Sequence, residues 1–272
     1  MSGRATWDAA SLYWQVALRG FRRFATYRAA TFAGVVTNTV FGFLRAYVFV
    51  ALFRGRAGVG GYNLSDTLTY TFVSQGIIMA IFLWGWWEIA LGVRSGAVVT
   101  DFSRPIDYQF YWLAQDLGRS VYHLIFRGIP PFIVGALAFH LRFPHHPWTW
   151  LTFALSVELG VCVSFALRFM VNLSAFWLLD YRGVGTIMQA VWTFFSGFAI
   201  PIAFFPGVLR TVSEVLPFAA MLATPVNVFL EKVQGLDLAG ALAFQAGWSV
   251  VLLLAGRLML AAAMRKLVIQ GG

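Results

Sequence analysis

The chain has 272 residues, of which 60% are hydrophobic and 11% are charged, and its formal net charge is +9. An average soluble domain contains about 25% charged residues, and a water-soluble fold of this size could not cover its surface with so few. Lipid tails solvate an apolar exterior, so the composition predicts a polytopic, all-α membrane protein. The basic residues flank apolar segments instead of gathering on one polar face, which argues against nucleic-acid binding.

The N-terminal segment, residues 1–30, predicts an amphipathic helix. Its apolar residues recur at intervals of three and four and so share one helical face: Trp7, Ala10, Trp14, Ala17, Phe21 and Phe24. Arg19, Arg22 and Arg23 lie on the same segment, within reach of lipid phosphates. A soluble amphipathic helix is the alternative, but the two tryptophans and the neighbouring insertion point favour a helix in the inner membrane interface.

Six apolar stretches are long enough to cross about 30 Å of hydrocarbon, which takes about 20 residues. The predicted spans are residues 31–53, 67–90, 119–140, 148–171, 184–205 and 239–262. With the N-terminus inside, the cytoplasmic segments and their edges hold eleven Lys and Arg residues, against five in the outer segments. This asymmetry predicts that both termini lie in the cytoplasm.

Away from the ends of the predicted spans, charged residues occur at Arg45, Arg127, Glu158, Arg168 and Arg257. Three of the arginines, all but Arg45, lie in the inner half of the membrane, where a long side chain extends to the interface. Glu158 lies near the middle of the fourth span, where a charge is costly. It is therefore protonated, paired with an arginine or facing a polar cavity. The roles of Glu158 and Arg45 stay open at this stage.

The cytoplasmic connection, residues 91–118, mixes charges of both signs with apolar residues. Its first part, residues 95–102, predicts a short helix that Arg104-Pro105 ends. A second, aromatic helix is predicted at the membrane surface over residues 108–117. We interpret the connection as a docking site for another protein. The alternative is a pair of interface helices without a partner.

The outer connection, residues 206–237, is too apolar for a loop in water. One short helix is predicted around residues 208–216 and another over 218–231, interrupted near Pro225. Neither is long enough to span the membrane, so together they predict a short helical hairpin between the fifth and sixth spans. Such a hairpin would dip into the outer leaflet, where protein or a wet cavity must satisfy its non-helical backbone.

Signals for catalysis are weak. The chain contains no G-x-x-x-x-G-K-[ST] sequence and therefore no P-loop for ATP. A metal site at His140, His145 and His146 lacks an adjacent acidic or cysteine ligand, so an exposed loop is the better interpretation. We predict no catalytic residue, no metal site and no cofactor in this chain.

The order of these features resembles that of ABC-2 type transporter permeases, and of bacterial ABC-2 transport system permeases in particular. The common features are the N-terminal amphipathic helix, six spans, a docking connection after the second span and a hairpin between the fifth and sixth. Two segments are also similar in sequence: Arg94-Ser95-Gly96-Ala97 through Asp101 with Arg104-Pro105-Ile106-Asp107, and Ile200-Pro201 through Phe205-Pro206.

The resemblance implies the membrane half of an exporter in the bacterial cytoplasmic (inner) membrane. Separate ABC ATPase subunits would bind ATP and Mg, and the connection after the second span would be the coupling helix that contacts them. The residues in that connection are Arg94, Gly96, Val99, Asp101, Phe102, Arg104, Pro105 and Asp107.

The resemblance also implies a second permease, identical or different, that faces this chain through the first and fifth spans within the membrane lipids. Small residues on those spans permit close approach. The aromatic residues beside them predict an apolar interface and path, which suits an amphipathic or lipidic substrate. The residues of this path are Phe41, Phe43, Phe194, Phe195 and Gly197.

Two other classes of protein stay open. An intramembrane lipid-modifying enzyme needs polar groups clustered at one membrane face, whereas Glu158, His123 and His140 fall at three predicted depths. A secondary transporter or channel usually has repeats with matching broken helices. Here Pro130-Pro131 in the third span does not match the position of Pro201 in the fifth.

Overall fold

Every regular element of the computed structural model is helical, over the residues that the structure describes: 2–81, 84–178 and 181–266, with side chains from residue 10 onward. The helices are α1 (Ser2–Ala25), α2 (Arg28–Leu52), α3 (Leu64–Ile81), α4 (Glu88–Ser95), α5 (Val98–Phe102), α6 (Tyr108–His123), α7 (Ile129–Ala138), α8 (Pro147–Leu173), α9 (Tyr181–Phe195), α10 (Gly207–Val215), α11 (Pro217–Met221), α12 (Ala223–Phe229) and α13 (Gly235–Met264). A π-helical turn, Leu124–Gly128, joins α6 to α7 without a break.

Four helices are long and apolar enough to cross a membrane: Arg28–Leu52, Tyr108–Ala138, Pro147–Phe176 and Gly235–Met264. They correspond to the predicted first, third, fourth and sixth spans, and they make the chain a multi-pass membrane protein. The predicted second and fifth spans correspond to the shorter helices α3 and α9. The count of six spans therefore stays a prediction.

The prediction of a separate aromatic helix over residues 108–117 is wrong. These residues form the start of the continuous helix Tyr108–Ala138, which begins where the Asp107 carboxylate accepts a hydrogen bond from the Phe110 N–H at 2.9 Å. Helix α1 packs along this added length. A Cβ on Gly118 would lie only 1.8 Å from the Ala17 carbonyl oxygen, so the two backbones approach to a distance that glycine alone allows. The Trp7 side chain of the predicted apolar face lies outside the described side chains.

The predicted second span, residues 67–90, is not one helix. Helix α3 ends at Ile81, and α4 begins at Glu88. The last carbonyls of α3 bond to side chains of other helices: Arg119 donates to the Met79 and Ala80 oxygens at 2.6 Å each, and the Ser164 hydroxyl donates to Ile81 at 2.6 Å. Because a buried helix end needs such partners, these donors allow α3 to stop inside the protein.

The predicted fifth span, residues 184–205, also ends early. Helix α9 ends at Phe195, and Gly197 follows with a φ of 80°, where a side chain would be strained. The freed carbonyls of Gly197 and Phe198 accept hydrogen bonds from the Tyr70 hydroxyl and from Arg45. A polar side chain on each neighbouring helix therefore satisfies the turn.

The connection in which a hairpin is predicted forms three short helices, α10 to α12. The interruption lies at Leu222 and not at Pro225, which falls within the first turn of α12, where a missing N–H leaves no helical bond unmade. Met221 and Leu222 are fully buried, and a Cβ on Gly160 of α8 would lie 2.6 Å from the Met221 oxygen. Helices α11 and α12 therefore pack into the protein core where they meet, whereas α10 leaves Val208 81% exposed.

Two buried aspartates each bridge two cations. Asp116 on α6 binds Arg119 at 2.7 Å and Arg168 of α8 at 2.6 Å, and all three side chains are at most 5% exposed. Asp66 in the first turn of α3 binds Arg142 at 3.1 Å and Lys232 at 2.6 Å. The first bridge ties α6 to α8, and the second ties the loops at the predicted outer end.

Candidate coupling segment and permease surface

The coupling segment, residues 94–107, joins α4 to α6 through the short helix α5. Helix α4 ends because Gly96 has a φ of 77°, in the left-handed region that favours glycine. A Cβ at this position would meet nothing within 4 Å. Within this chain, glycine is therefore needed for the turn of the backbone and not for close packing.

Helix α5 has one buried side and one exposed side. Val98 is 1% exposed, and the Phe102 ring packs edge to face on Tyr108 with their centroids 4.8 Å apart. Val99 is 44% exposed, and its neighbour Ala97 is exposed as well. Val99 thus lies where a partner protein can contact it, whereas Phe102 packs on the chain's own core.

The charges of the coupling segment fall into two groups. Asp101 and Arg104 form an exposed pair at 3.3 Å, one helical turn apart, and Pro105 is exposed beside them. Asp107 instead pairs with Arg257 of α13 while it caps α6. The Arg94 guanidinium lies 5.9 Å from the centre of the Tyr181 ring on α9. The segment therefore contacts both α9 and α13 through charged side chains.

A polar stripe on α8 anchors the chain that leads into this segment. Asn172 accepts a hydrogen bond from the Ala90 N–H at 3.1 Å and donates to the Trp86 carbonyl at 2.8 Å. Ser164 and Arg168 lie eight and four residues earlier on the same face, and they bind α3 and Asp116 respectively. Arg168 is noted above only as a charge within a predicted span, although polar residues four apart in an apolar helix are a visible signal of such a stripe.

The predicted path residues lie on two surfaces. Phe41 of α2 is 54% exposed, whereas Phe43 packs inside the chain against Phe72, 5.7 Å between centroids. Phe194 is 38% exposed and stacks on Phe205 at 5.0 Å.

The other two path residues point toward the interior of the chain. Phe195 contacts Phe218 of α11, with ring centroids 6.1 Å apart. Gly197 is buried in the turn after α9. Phe41 and Phe194 are therefore the members of the predicted path that remain available to a second subunit or a substrate.

Glu158 and Arg45, left open by the sequence, have neutral partners. Both carboxylate oxygens of Glu158 lie within hydrogen-bond distance of the Ser120 hydroxyl, at 3.0 and 2.8 Å. Arg45 donates to Ser74 at 3.3 Å and to the Phe198 carbonyl, and its guanidinium lies over the Phe198 ring. Neither forms an ion pair within the described part of the chain.

The carboxylate of Glu231 organises the histidine loop, which contains His145 and His146. The backbone N–H groups of His145 and His146 donate to Glu231 at 3.0 Å each, and the Thr149 hydroxyl donates at 2.8 Å. Burial by itself raises the pKa of Glu231, but these hydrogen bonds outweigh it and hold the pKa below its ordinary value. No group of three or more metal-ligating side chains occurs among residues 2–81, 84–178 and 181–266.

Long apolar helices, buried ion pairs between them and carbonyls capped by neighbouring side chains define a polytopic helical membrane protein. The family model of the ABC-2 family transporter protein matches residues 38–271, and the chain belongs to this family. It is thus a membrane transport permease, and the predicted resemblance is confirmed. The match begins within α2 and leaves α1 outside it. No curated protein and no solved structure matches the chain.

Proposed function

We propose that this chain is the permease subunit of an ABC exporter in the bacterial cytoplasmic membrane, with both termini in the cytoplasm. Separate ATPase subunits would bind ATP and Mg, since ABC-2 permeases generally work with such partners. Family membership favours transport over an intramembrane enzyme or a channel, because it is the membrane component of a transporter that the family describes.

The observation that carries the proposal is the position of Val99. It is an exposed apolar residue on a segment whose flanks are fixed to the rest of the molecule, through Asn172 on α8 and through Arg257 on α13. A specific interface combines an apolar centre with a polar rim, and the exposed Asp101–Arg104 pair supplies such a rim. A partner that pushes on this segment would displace α4 and α6 together.

The proposed substrate is amphipathic or lipidic, and it would move along the surface between this chain and a second permease, identical or different. The exposed aromatic residues Phe41 and Phe194 support an apolar surface on α2 and α9. A hydrated ion would need a continuous polar lining instead.

The test is the double substitution of Ala97→Asp with Val99→Asp. Both side chains are exposed, so the change leaves the core contacts of Val98 and Phe102 intact. Because truncating an interface hot spot costs about 2 kcal/mol or more, we expect the co-purified ATPase to fall by at least about tenfold. The measurement is the ratio of ATPase to permease in detergent, with monodispersity on a sizing column as the check of folding.

Val208→Asp is the control, since it places an aspartate on an exposed valine of α10 instead. It should leave the ATPase ratio unchanged. A double variant that still recovers its ATPase at the wild-type ratio would contradict the coupling role of the segment.

A further inference from the structure

A cavity of about 340 Å³ lies between the end of α1, the start of α4 and the middle of α6. Its volume falls within the range of about 300–1,000 Å³ that is usual for small-molecule sites. The cavity lies beside the exposed Arg22 and Arg23 at the end of α1. If α1 lies in the inner interface as predicted, the cavity opens at the level of the lipid head groups.

The charged groups of the cavity are paired with one another. Arg23 and Glu88 form a two-contact ion pair at 2.9 Å, with side chains 49% and 36% exposed. Deeper in the cavity, Arg119 pairs with Asp116 at 2.7 Å. Asp116 also binds Arg168, which lies behind the cavity wall. The exposed pair of Arg23 and Glu88 is neutral, and its two charges match a ligand that carries both charges.

The remaining walls suit an ammonium group. Trp86, Trp87 and Trp112 line the cavity, and a cation is attracted to the face of an indole ring more strongly than to other rings. The Arg168 guanidinium already lies 5.3 Å from the centre of the Trp86 ring, so Trp87 and Trp112 are the rings left for a ligand cation. Gln115 also lines it, and its side-chain oxygen is buried without a hydrogen-bond donor in the described part of the chain. A buried carbonyl oxygen of this kind calls for an N–H donor, which a primary ammonium group supplies and a trimethylammonium group does not.

We propose that this cavity binds the head group of a zwitterionic phospholipid with a primary ammonium group, of the phosphatidylethanolamine type. The ammonium group lies among the tryptophans, Glu88 and Gln115, and the phosphate lies against the exposed guanidinium of Arg23. The inference rests on the predicted interfacial position of α1 and not on any ATPase. The chain purified without a partner therefore tests it, and a failed ATPase association leaves it standing.

The experiment measures lipid binding to the detergent-purified chain by native mass spectrometry. Phosphatidylethanolamine and phosphatidylglycerol with identical acyl chains are supplied together. We expect the wild type to prefer phosphatidylethanolamine, and glycerophosphoethanolamine to compete for the site better than inorganic phosphate does. The pair Arg23→Gln with Glu88→Gln leaves the net charge of the cavity unchanged and should reduce the preference by about tenfold, since it removes charge-assisted contacts to both ends of the ligand.

The matched control is Arg210→Gln with Glu214→Gln, which removes a surface ion pair on α10 and should leave the preference unchanged. If the first pair impairs monodispersity, Gln115→Met tests the cavity with both ion pairs intact and should also weaken the preference. Equal binding of the two lipids by the wild type overturns the proposal. So does an unchanged preference in the folded cavity variants, or equal competition by inorganic phosphate.

Discussion

The two bridging aspartates, Asp116 and Asp66, each pair with two cations, but in different surroundings. Asp116 and both of its arginine partners are at most 5% exposed. Asp66 is equally buried, at 3% exposure, but Arg142 and Lys232 are 33% and 26% exposed. One bridge is therefore sealed among α3, α6 and α8, and the other opens to the surface at the predicted outer end.

The difference shows what each bridge does for the fold. Arg119 pairs with Asp116 and also donates hydrogen bonds to the last carbonyls of α3. The ion pair and the break in the helix therefore depend on each other. Around Asp66, the cations belong to loop residues, and Lys232 also donates to the Gly61 carbonyl. The first bridge permits a broken helix inside the protein, whereas the second fastens loops together.

The largest effect is expected from Asp116→Asn. The substitution leaves Arg119 and Arg168 without their carboxylate in a buried place, and breaking a buried pair costs about 3–5 kcal/mol. The measurement is the thermal unfolding midpoint of the detergent-purified protein, against Asp101→Asn as the control. Asp101 pairs with Arg104 at the surface, and such a pair contributes only about 0–1 kcal/mol. Equal midpoints for the two variants would remove the distinction between sealed and exposed bridges.

Asp66→Asn should cost less, about 1–3 kcal/mol, because a hydrogen bond to a charged group is lost while both cations can turn toward water. Limited proteolysis of the loop around Gly60 and Gly61 gives a second readout, and we expect faster cleavage there. A greater loss of unfolding midpoint than in Asp116→Asn would reverse the ranking of the two bridges.

The smallest effect concerns Glu231, which organises the histidine loop at the same end. Its pKa in the folded protein lies below its ordinary value of 4.5. Its stabilising contribution is therefore fully present above pH 4.5 and is lost as the pH falls through the lower, folded pKa. Glu231→Gln should lower the unfolding midpoint at neutral pH and flatten its decline in acid. A variant that keeps the full acid-dependent decline would assign it to other carboxylates, such as Asp66.

Much of the candidate site was readable in the sequence because it depends on local chemistry. Gly96 and Pro105 lie on either side of α5, so a short helix between them follows from backbone preferences. Which of its residues face outward does not follow, since Val98 and Val99 are the same residue type. The partner surface that buries Val98 comes from Tyr108 and from helices much later in the chain.

The sequence by itself determined the class of protein, because 60% hydrophobic residues in long stretches with basic flanks are compatible only with a bilayer. It did not determine where α3 and α9 end. Both helices stop within apolar sequence, and the groups that satisfy their last carbonyls are Arg119 and Ser164 for α3 and Tyr70 and Arg45 for α9. Those donors lie on other helices, so only the tertiary structure brings them to these carbonyls. The helices can end there because a carbonyl left without a donor in hydrocarbon would be too costly.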